Sequence, residues 1–360
     1  MKIPVLLMAR ELHIGGSERQ MTETARSLDR SVFEPHVGCF RPAGVRGDEL
    51  RQAGITVVQF PVQSFGSAAV VTESRVLARY IRDHGIRIVH AWDYPLNIYA
   101  VPIARMMTKA VAISSQRSER ALIPPFYRRL VRLSDRFAHA IVVNCEFLRG
   151  QLVEREHVPA SKVRVCYNGI DADFFQRRAV EPHPLTVGVV CGLRPEKDLK
   201  TLIRAFAPLR KANAGIRLLI VGGGSELPIL QQYAREAGAA DAVRFEPATA
   251  RVPDWLSQMD IFVLPSVSEA FSNSLMEAMA CACCCVASNV GGNPELVSEG
   301  ETGRLFPAGD APALTRILQE LMERADERQR LAVNAAARIR ERFSNAEAAR
   351  RMGEIYQSLL

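Results

Sequence analysis

The sequence predicts an α/β protein made of two doubly wound domains. Three observations carry this. Short apolar runs alternate with amphipathic stretches along the chain, which is the pattern of a parallel sheet covered by helices. The alternation lapses at 169–184, where Pro182 and Pro184 sit among mixed charges, and then restarts. The chain has 360 residues, too many for one ordinary domain and enough for two of middling size.

Each element follows from a local pattern. The unbroken apolar run at 3–9 predicts a buried first strand. Glycines at 15 and 16 then open a helix over 17–28, with Ser17 and Gln20 spaced as a capping box. Further apolar runs predict strands at 36–40, 56–60, 87–91, 111–114, 140–144 and 163–166. Amphipathic stretches at 73–84, 96–107, 126–137 and 146–156 predict the helices between them. Beyond the expected linker 169–184, strands are predicted at 186–191, 217–221, 243–245, 261–264, 284–287 and 304–306. Helices are predicted at 199–211, 227–237, 253–258, 274–282, 312–324 and 327–342. A last helix is predicted over 346–359, with Ser344 and Glu347 as its capping box. The domains expected are 1–168 and 185–345. Ligands of such sheets bind beyond the carboxyl ends of the strands.

Composition narrows the function. Hydrophobic residues make up 48% and charged residues 24%, the balance of a folded globular chain. Lys plus Arg exceeds Asp plus Glu by 46 − 39 = 7, so anionic partners are expected. The positive charge is spread and no nucleic-acid motif occurs, which speaks against nucleic acid. Charges follow the first apolar run directly, so it reads as a strand and not a signal peptide. The longest apolar stretch, 278–287, has ten residues, short of a membrane helix. Half of the eight cysteines are Cys281, Cys283, Cys284 and Cys285. Such crowding does not make a disulfide framework and suggests a reducing cytoplasm. Consecutive cysteines in a strand point to opposite faces, so core packing is expected over a metal site.

Four features can carry chemistry. The first is Gly15-Gly16 at a helix start, where backbone N–H groups attract anions. An ordinary turn is the other reading. The second is the loop from Gly192 to Lys197, in which Arg194 and Lys197 are placed to converge on a diphosphate. Two solvated charges are the alternative. The third is Gly222-Gly223-Gly224, a turn that lets a ligand lie against backbone, with Ser225 as the expected N-cap. The fourth runs from Ser266 to Glu277 and holds two carboxylates eight apart, Glu269 and Glu277. Glu277 is the polar residue among Leu275, Met276, Ala278, Met279 and Ala280, and a buried carboxylate needs a partner. Ligand hydroxyls or a structural arginine would serve.

Other residues leave two readings open. Asp171-Ala172-Asp173 has the look of a metal motif but reads better as turn acids. His90 ends a strand and is either a cleft residue or a satisfied structural histidine. Arg117, Arg120, Arg128, Arg129, Arg132 and Arg136 are interleaved with Leu122, Ile123, Phe126, Tyr127, Leu130, Val131 and Leu133. Such a segment, 117–137, either lies on anionic lipid or is a helix with one core face.

The four features in this order resemble glycosyltransferase family 4, a retaining family of the GT-B fold. The segment from Glu269 through Ala270, Phe271, Ser272, Asn273 and Ser274 to Glu277 is similar to its E-x7-E signature. Val290-Gly291-Gly292-Asn293-Pro294-Glu295 continues the pattern. Gly192, Arg194, Pro195 and Lys197 match its glycine–arginine–lysine loop. Gly15-Gly16 matches its first-domain glycine loop, and the Tyr167-Asn168-Gly169-Ile170-Asp171 run its linker entry. The resemblance implies two Rossmann-like domains facing each other across a cleft, with the final helix 346–360 crossing back to the first. It implies a nucleotide-sugar donor, UDP-linked, held by the second domain and needing no metal or other cofactor. Arg194 and Lys197 would stabilise the departing diphosphate, with N–H groups at 271–274 and Gly16 added. Glu277 would hold the ribose, Glu269 the donor sugar, and Gly222 and Gly223 would flank the base. A lipid-linked or growing glycan acceptor would enter from the first domain, with His90 and Arg117 as cleft candidates. The implied setting is the cytoplasmic membrane face in envelope or exopolysaccharide synthesis.

The chain departs from the family at three places. The histidine common after the fifth strand is missing from Ser114-Ser115-Gln116-Arg117, which suits same-face substitution with the leaving phosphate taking the proton. The usual small-Gly-x-Pro-Val reads Cys281-Ala282-Cys283-Cys284-Cys285-Val286, so an altered turn is expected. The glycine usual after the third strand of the second domain is replaced around Glu246-Pro247. Rival readings are a nucleotide-sugar epimerase of the same architecture and a non-catalytic nucleotide-sugar-binding subunit.

Overall fold

The computed structural model describes residues 2–13, 15–67 and 69–360. The chain forms two compact units, 1–169 with 345–360, and 170–344.

Unit 1 is a seven-stranded sheet in the order β3-β2-β1-β4-β5-β6-β7. The strands are β1 (Ile3–Glu11), β2 (Phe33–Arg41), β3 (Thr56–Gln59), β4 (Ile88–Ala91), β5 (Val111–Gln116), β6 (Ala140–Val143) and β7 (Val163–Val165). All neighbours pair in parallel. Val5, Leu7, Ile88 and Val142 are fully buried, and this strand core is covered by Met21 and Ala25 of the helix Gly16–Ser27. The helix Asn345–Gln357 belongs to the same unit and buries Met352, Ile355 and Tyr356 there. The chain thus returns to its first unit.

Unit 2 has six parallel strands in the order β10-β9-β8-β11-β12-β13. They are β8 (Thr186–Val190), β9 (Arg217–Val221), β10 (Val243–Glu246), β11 (Ile261–Leu264), β12 (Cys284–Ser288) and β13 (Arg304–Phe306). This is the 3-2-1-4-5-6 order of dinucleotide-type folds. The order reverses between β8 and β11, so the ligand crevice of this unit is expected at their carboxyl ends.

Several local expectations differ. The helix Val45–Gln52 was not expected, because its apolar residues follow no helical stripe. The first helix starts one residue early with Gly15 as N-cap and no side-chain cap. Gln20 is instead buried, where its amide donates to the Gly169 carbonyl at 2.8 Å and accepts from the Gly169 N–H at 2.9 Å. Stretch 170–184 is irregular, as expected, yet it is part of unit 2. Its Arg177 donates to the Met259 carbonyl at 3.3 Å, and the Arg178 N–H to Ser257 Oγ at 2.8 Å. Within it, Asp171 Oδ1 accepts from the N–H groups of Asp173 and Phe174 at 3.1 and 2.9 Å. These acids shape a turn.

The chain turns tightly at 281–283. Ala282 takes a left-handed φ of 51°, and the N–H groups of Ala282 and Cys283 reach back to Met279 and Ala278 at 3.0 Å each. Alanine bears there the conformation that glycine adopts freely. Cys281, Cys283, Cys284 and Cys285 are free thiols and at most 1% exposed. Burial pushes the Cys281 and Cys284 thiols up to about 12, so all behave as small apolar core residues. Among the described residues, no helix is long and apolar enough to cross a membrane.

Candidate nucleotide-sugar site

The carboxyl ends of β8 and β11 bring together the second and fourth features. After β8 the chain turns at Gly192 into a short 3-10 turn, Pro195–Lys197, and Asp198 adopts a left-handed φ of 45° before the helix Leu199–Ala212. This sharp turn points Lys197 inward, leaving it 9% exposed. Its Nζ lies 2.5 Å from Glu269 Oε1. Ser266 Oγ donates to the same oxygen at 2.8 Å. Residues 72 apart in sequence thereby form one nearly dry charge pair. Such a pair is costly to break, because either charge alone would be buried without a partner.

The signature helix is Asn273–Ala280. Ser272 is its N-cap and accepts from the Leu275 N–H at 3.4 Å. Ser272 and Ser274 hydroxyls are 3.2 Å apart. Ala270, Phe271 and Glu277 are buried, while Asn273 and Ser274 are half-buried. Glu277 lies one turn into this helix, nearer its start than the two turns expected from the spacing.

Sequence reasoning missed what holds the loop before this helix. Gly291 has a φ of 55°, and a Cβ there would sit 1.7 Å from the Glu269 carbonyl oxygen. The Gly292 N–H donates to the Ala270 carbonyl at 2.8 Å. The Val-Gly-Gly continuation is therefore a backbone brace that fixes where Glu269 stands. Its signal was the second glycine pair itself, which no single-element pattern demanded.

Arg194 and Lys197 have different surroundings. Arg194 is 64% exposed in its side chain and pairs with Glu196 at 3.1 Å. It lines a small cavity with Asp198, Lys200 and Glu226. The turn that buries Lys197 aims Arg194, three residues earlier, outward. The glycine turn after β9 differs from expectation. A Cβ on Gly222 would fall 1.9 Å from the Cys191 carbonyl oxygen, and one on Gly224 2.2 Å from that of Leu193. These glycines make room for the neighbouring loop. Gly223, whose nearest neighbour would be Ala248 at 3.8 Å, is the one open to a ligand. Ser225 is not the cap, since the helix Leu227–Glu236 begins after Glu226. Burial pushes the nearby Cys191 thiol up to about 12, so it is no nucleophile.

Unit 1 holds the remaining candidates. Gly16 is exposed at the start of its helix. His90 is fully buried. Its Nδ1 bonds the Tyr356 hydroxyl and its Nε2 the Ser115 hydroxyl, both at 2.8 Å. Burial, with the nearby Arg117 charge, holds its pKa well below the usual imidazole range. His90 is thus a structural tie between β4, β5 and the last helix, and it is not an acceptor contact. Arg117 stacks over the Trp92 ring at 4.2 Å and donates to Asn168 Oδ1 at 3.1 Å.

Comparison with known proteins agrees with this arrangement. The profile described as "Glycosyltransferase Family 4" matches residues 14–174, and that described as "Glycosyl transferases group 1" matches 171–338. A D-inositol 3-phosphate glycosyltransferase of Streptomyces scabiei is 29% identical over 290 residues, covering 75% of this chain and 64% of that protein. The N-acetyl-alpha-D-glucosaminyl L-malate synthase of Bacillus anthracis is 26% identical over 211 residues, covering 56% of this chain and 55% of its own. The chain therefore spans 64% and 55% of these curated relatives' lengths. Among solved structures, Anabaena Alr3699/HepE in complex with UDP superposes with a TM-score of 0.85 at 21% identity, over 99% of this chain and 100% of that one. At that identity the likeness speaks for the fold.

Proposed function

The chain belongs to glycosyltransferase family 4, and we propose from that premise that it is a retaining glycosyltransferase using a UDP-sugar. The observation that carries this reading is the Lys197–Glu269 pair at the carboxyl ends of β8 and β11, with Glu277 buried in the next helix. A buried lysine facing a carboxylate is a poised site for a ligand with both a negative diphosphate and hydroxyls. The diphosphate would draw Lys197, and the donor-sugar hydroxyls would take over Glu269. Charge on the departing diphosphate is then met by a cation already in place. Glu277 would accept from the ribose hydroxyls, and N–H groups at 271–274 would bind phosphate oxygens. Since Lys197 supplies the counter-charge, we propose that no metal is needed. A related fold, Anabaena HepE, has been solved with UDP-glucose, which supports the choice of nucleotide.

Glu277→Ala is expected to lower UDP-sugar turnover by about 100-fold with the fold intact, as loss of a site-positioning group typically does. Turnover by the native chain is expected to persist in excess EDTA. A radiolabelled UDP-sugar hydrolysis assay with circular dichroism checks both. Full activity of Glu277→Ala would sink the site, and EDTA inactivation would sink metal independence. An epimerised sugar formed without acceptor would favour an epimerase.

The acceptor we propose is a lipid-linked or growing glycan met at the inner face of the cell membrane. The supporting observation is the helix Pro125–Ser134 and its entry. Of the six arginines in 117–137, Arg117 and Arg120 face inward, Arg128 holds the carbonyls of Ala121 and Ile123, and Arg132 pairs with Glu156. Arg129 and Arg136 make no ion pair among the described residues and are exposed. Phe126 and Leu133 are 67% and 48% exposed, at a spacing of seven that shares one helix face with Arg129, and Leu122 in the turn before the helix is 60% exposed. That stripe is apolar and basic together, as interfacial helices are. The double variant Phe126→Ser, Leu133→Ser should lower partitioning onto phosphatidylglycerol vesicles by about 10-fold or more, from the apolar area withheld. Vesicle co-sedimentation measures it, and unchanged partitioning would refute the contact.

A further inference from the structure

Unit 1 carries a cavity of about 230 Å³ at the carboxyl ends of β1 and β2. Its walls include Arg10, Phe40, Arg41, Phe65, Tyr94 and Tyr127. The rings form a connected series. Tyr127 lies 5.5 Å from Phe126, 5.8 Å from Tyr94 and 6.5 Å from Phe65, and Phe65 lies 6.4 Å from Phe40. None of these contacts is stacked, and Phe65, Tyr94 and Tyr127 are partly exposed, which leaves ring surface for the C–H groups of a ligand. The series begins at Phe126, on the exposed stripe of the helix, and ends inside the cavity.

The mouth carries two arginines. Arg10 and Arg41 share one carboxylate, Glu11, at 2.6 and 3.6 Å, and Asp93 also acts on Arg10. Both guanidinium groups are substantially exposed, 46% and 64% in their side chains. The walls are tied together below. Asp93 accepts from the Arg10 N–H at 2.7 Å and from the Leu96 N–H at 3.0 Å, locking the end of β1 to the start of the helix that carries Tyr94. Burial pushes the Asp93 carboxyl up to about 6.

We propose that this cavity binds the sugar–phosphate junction of a lipid-carried acceptor. The sugar ring lies against Phe65 and Tyr127, the phosphate between Arg10 and Arg41, and the lipid leaves past Phe126. The inference rests on the glycosyl-transfer reading and adds the acceptor's chemical class. An arginine fork suits phosphate oxygens, an aromatic wall suits a sugar, and the ring series leads from the stripe that meets lipid.

The test is titration calorimetry of the full chain with three probes: a hexosyl diphosphate on a short isoprenoid alcohol, the hexose 1-phosphate, and the methyl hexoside. The isoprenoid diphosphate is expected to bind at least tenfold tighter than the 1-phosphate, and the methyl hexoside weakest. Arg41→Ala and Tyr127→Ala should each weaken the isoprenoid probe about tenfold, the loss typical of one charge-assisted bond or aromatic anchor. Arg41→Lys should recover most of the first loss. Urea unfolding of each variant beside the native chain is the folding control. Wild-type affinity in both alanine variants, or no binding by the native chain, overturns the proposal. Equal binding of the methyl hexoside overturns the phosphate assignment, and equal binding of the 1-phosphate overturns the lipid source. UDP-sugar hydrolysis is scored separately: its absence with the cavity binding intact sinks the glycosyl-transfer reading alone.

Discussion

Lys197→Ala is expected to lower UDP-sugar turnover by about 100- to 1,000-fold, the usual loss when one preorganised charge-stabilising donor is removed. The variant should also be less stable by roughly 3 kcal/mol, because Glu269 would stay nearly dry without its cation. Ser266 Oγ at 2.8 Å is the bond left to that carboxylate oxygen. The two effects separate in a second variant. Lys197→Ala with Glu269→Ala removes the orphaned charge, so denaturant unfolding should recover much of the lost stability while turnover stays low. That pattern marks the Lys197–Glu269 pair as part of the site and not only of the fold. If the double variant regained turnover along with stability, the pair would be structural. A double-mutant cycle on the pair should give a coupling of about 1 to 3 kcal/mol, the range for buried groups in direct contact.

Much of this was legible in the sequence, and what was not has identifiable causes. Every expected strand is present because a parallel sheet buries both faces and so writes continuous apolar runs. The Glu269–Glu277 spacing placed one carboxylate on a loop and the other in a helix, and the structure keeps that arrangement. The pairing of Lys197 with Glu269 was not readable, since it depends on β8 and β11 lying side by side at the reversal of strand order. Nor was the unequal burial of Arg194 and Lys197, 64% and 11% exposed in their side chains on either side of one short turn. His90 ended a strand as expected, but its two partners come from residues 115 and 356. A return of the chain from its far end is invisible to local pattern. Gly222 and Gly224 were read as space for a ligand, whereas the backbone of a neighbouring loop takes that space.

Arg120→Ala is expected to destabilise unit 1 by roughly 3 to 5 kcal/mol, the cost of removing one partner from a buried charge network. Counted in the sequence as one of six basic residues, Arg120 is only 5% exposed. It pairs with Asp135 at 2.6 Å and Glu156 at 2.7 Å, and its Nε donates to Gln116 Oε1 at 3.1 Å. It therefore ties the end of β5 to both ends of the basic helical segment. Burial already holds the Asp135 carboxyl above its ordinary value, against the opposing pull of Arg120. Without that pull the folded-state value rises further. A carboxyl whose folded-state pKa is raised binds more protons folded than unfolded, so the stability it lends is lost as pH rises through that value. The deficit of the variant should thus be largest near pH 8 and shrink as pH falls toward 5. Urea unfolding across that range measures it, with Arg120→Ala plus Asp135→Asn as the control whose deficit should be smaller and flatter. A pH-independent loss equal in both variants would mean that packing of the arginine stem, and not its charge, holds the segment. The consequence reaches the exposed apolar stripe. A helix whose exposed stripe is apolar keeps its orientation only if its opposite side is fixed, and the buried ions under Arg120 fix it. Arg120→Ala should therefore raise non-specific binding to neutral vesicles, whereas Phe126→Ser with Leu133→Ser lowers binding to anionic ones.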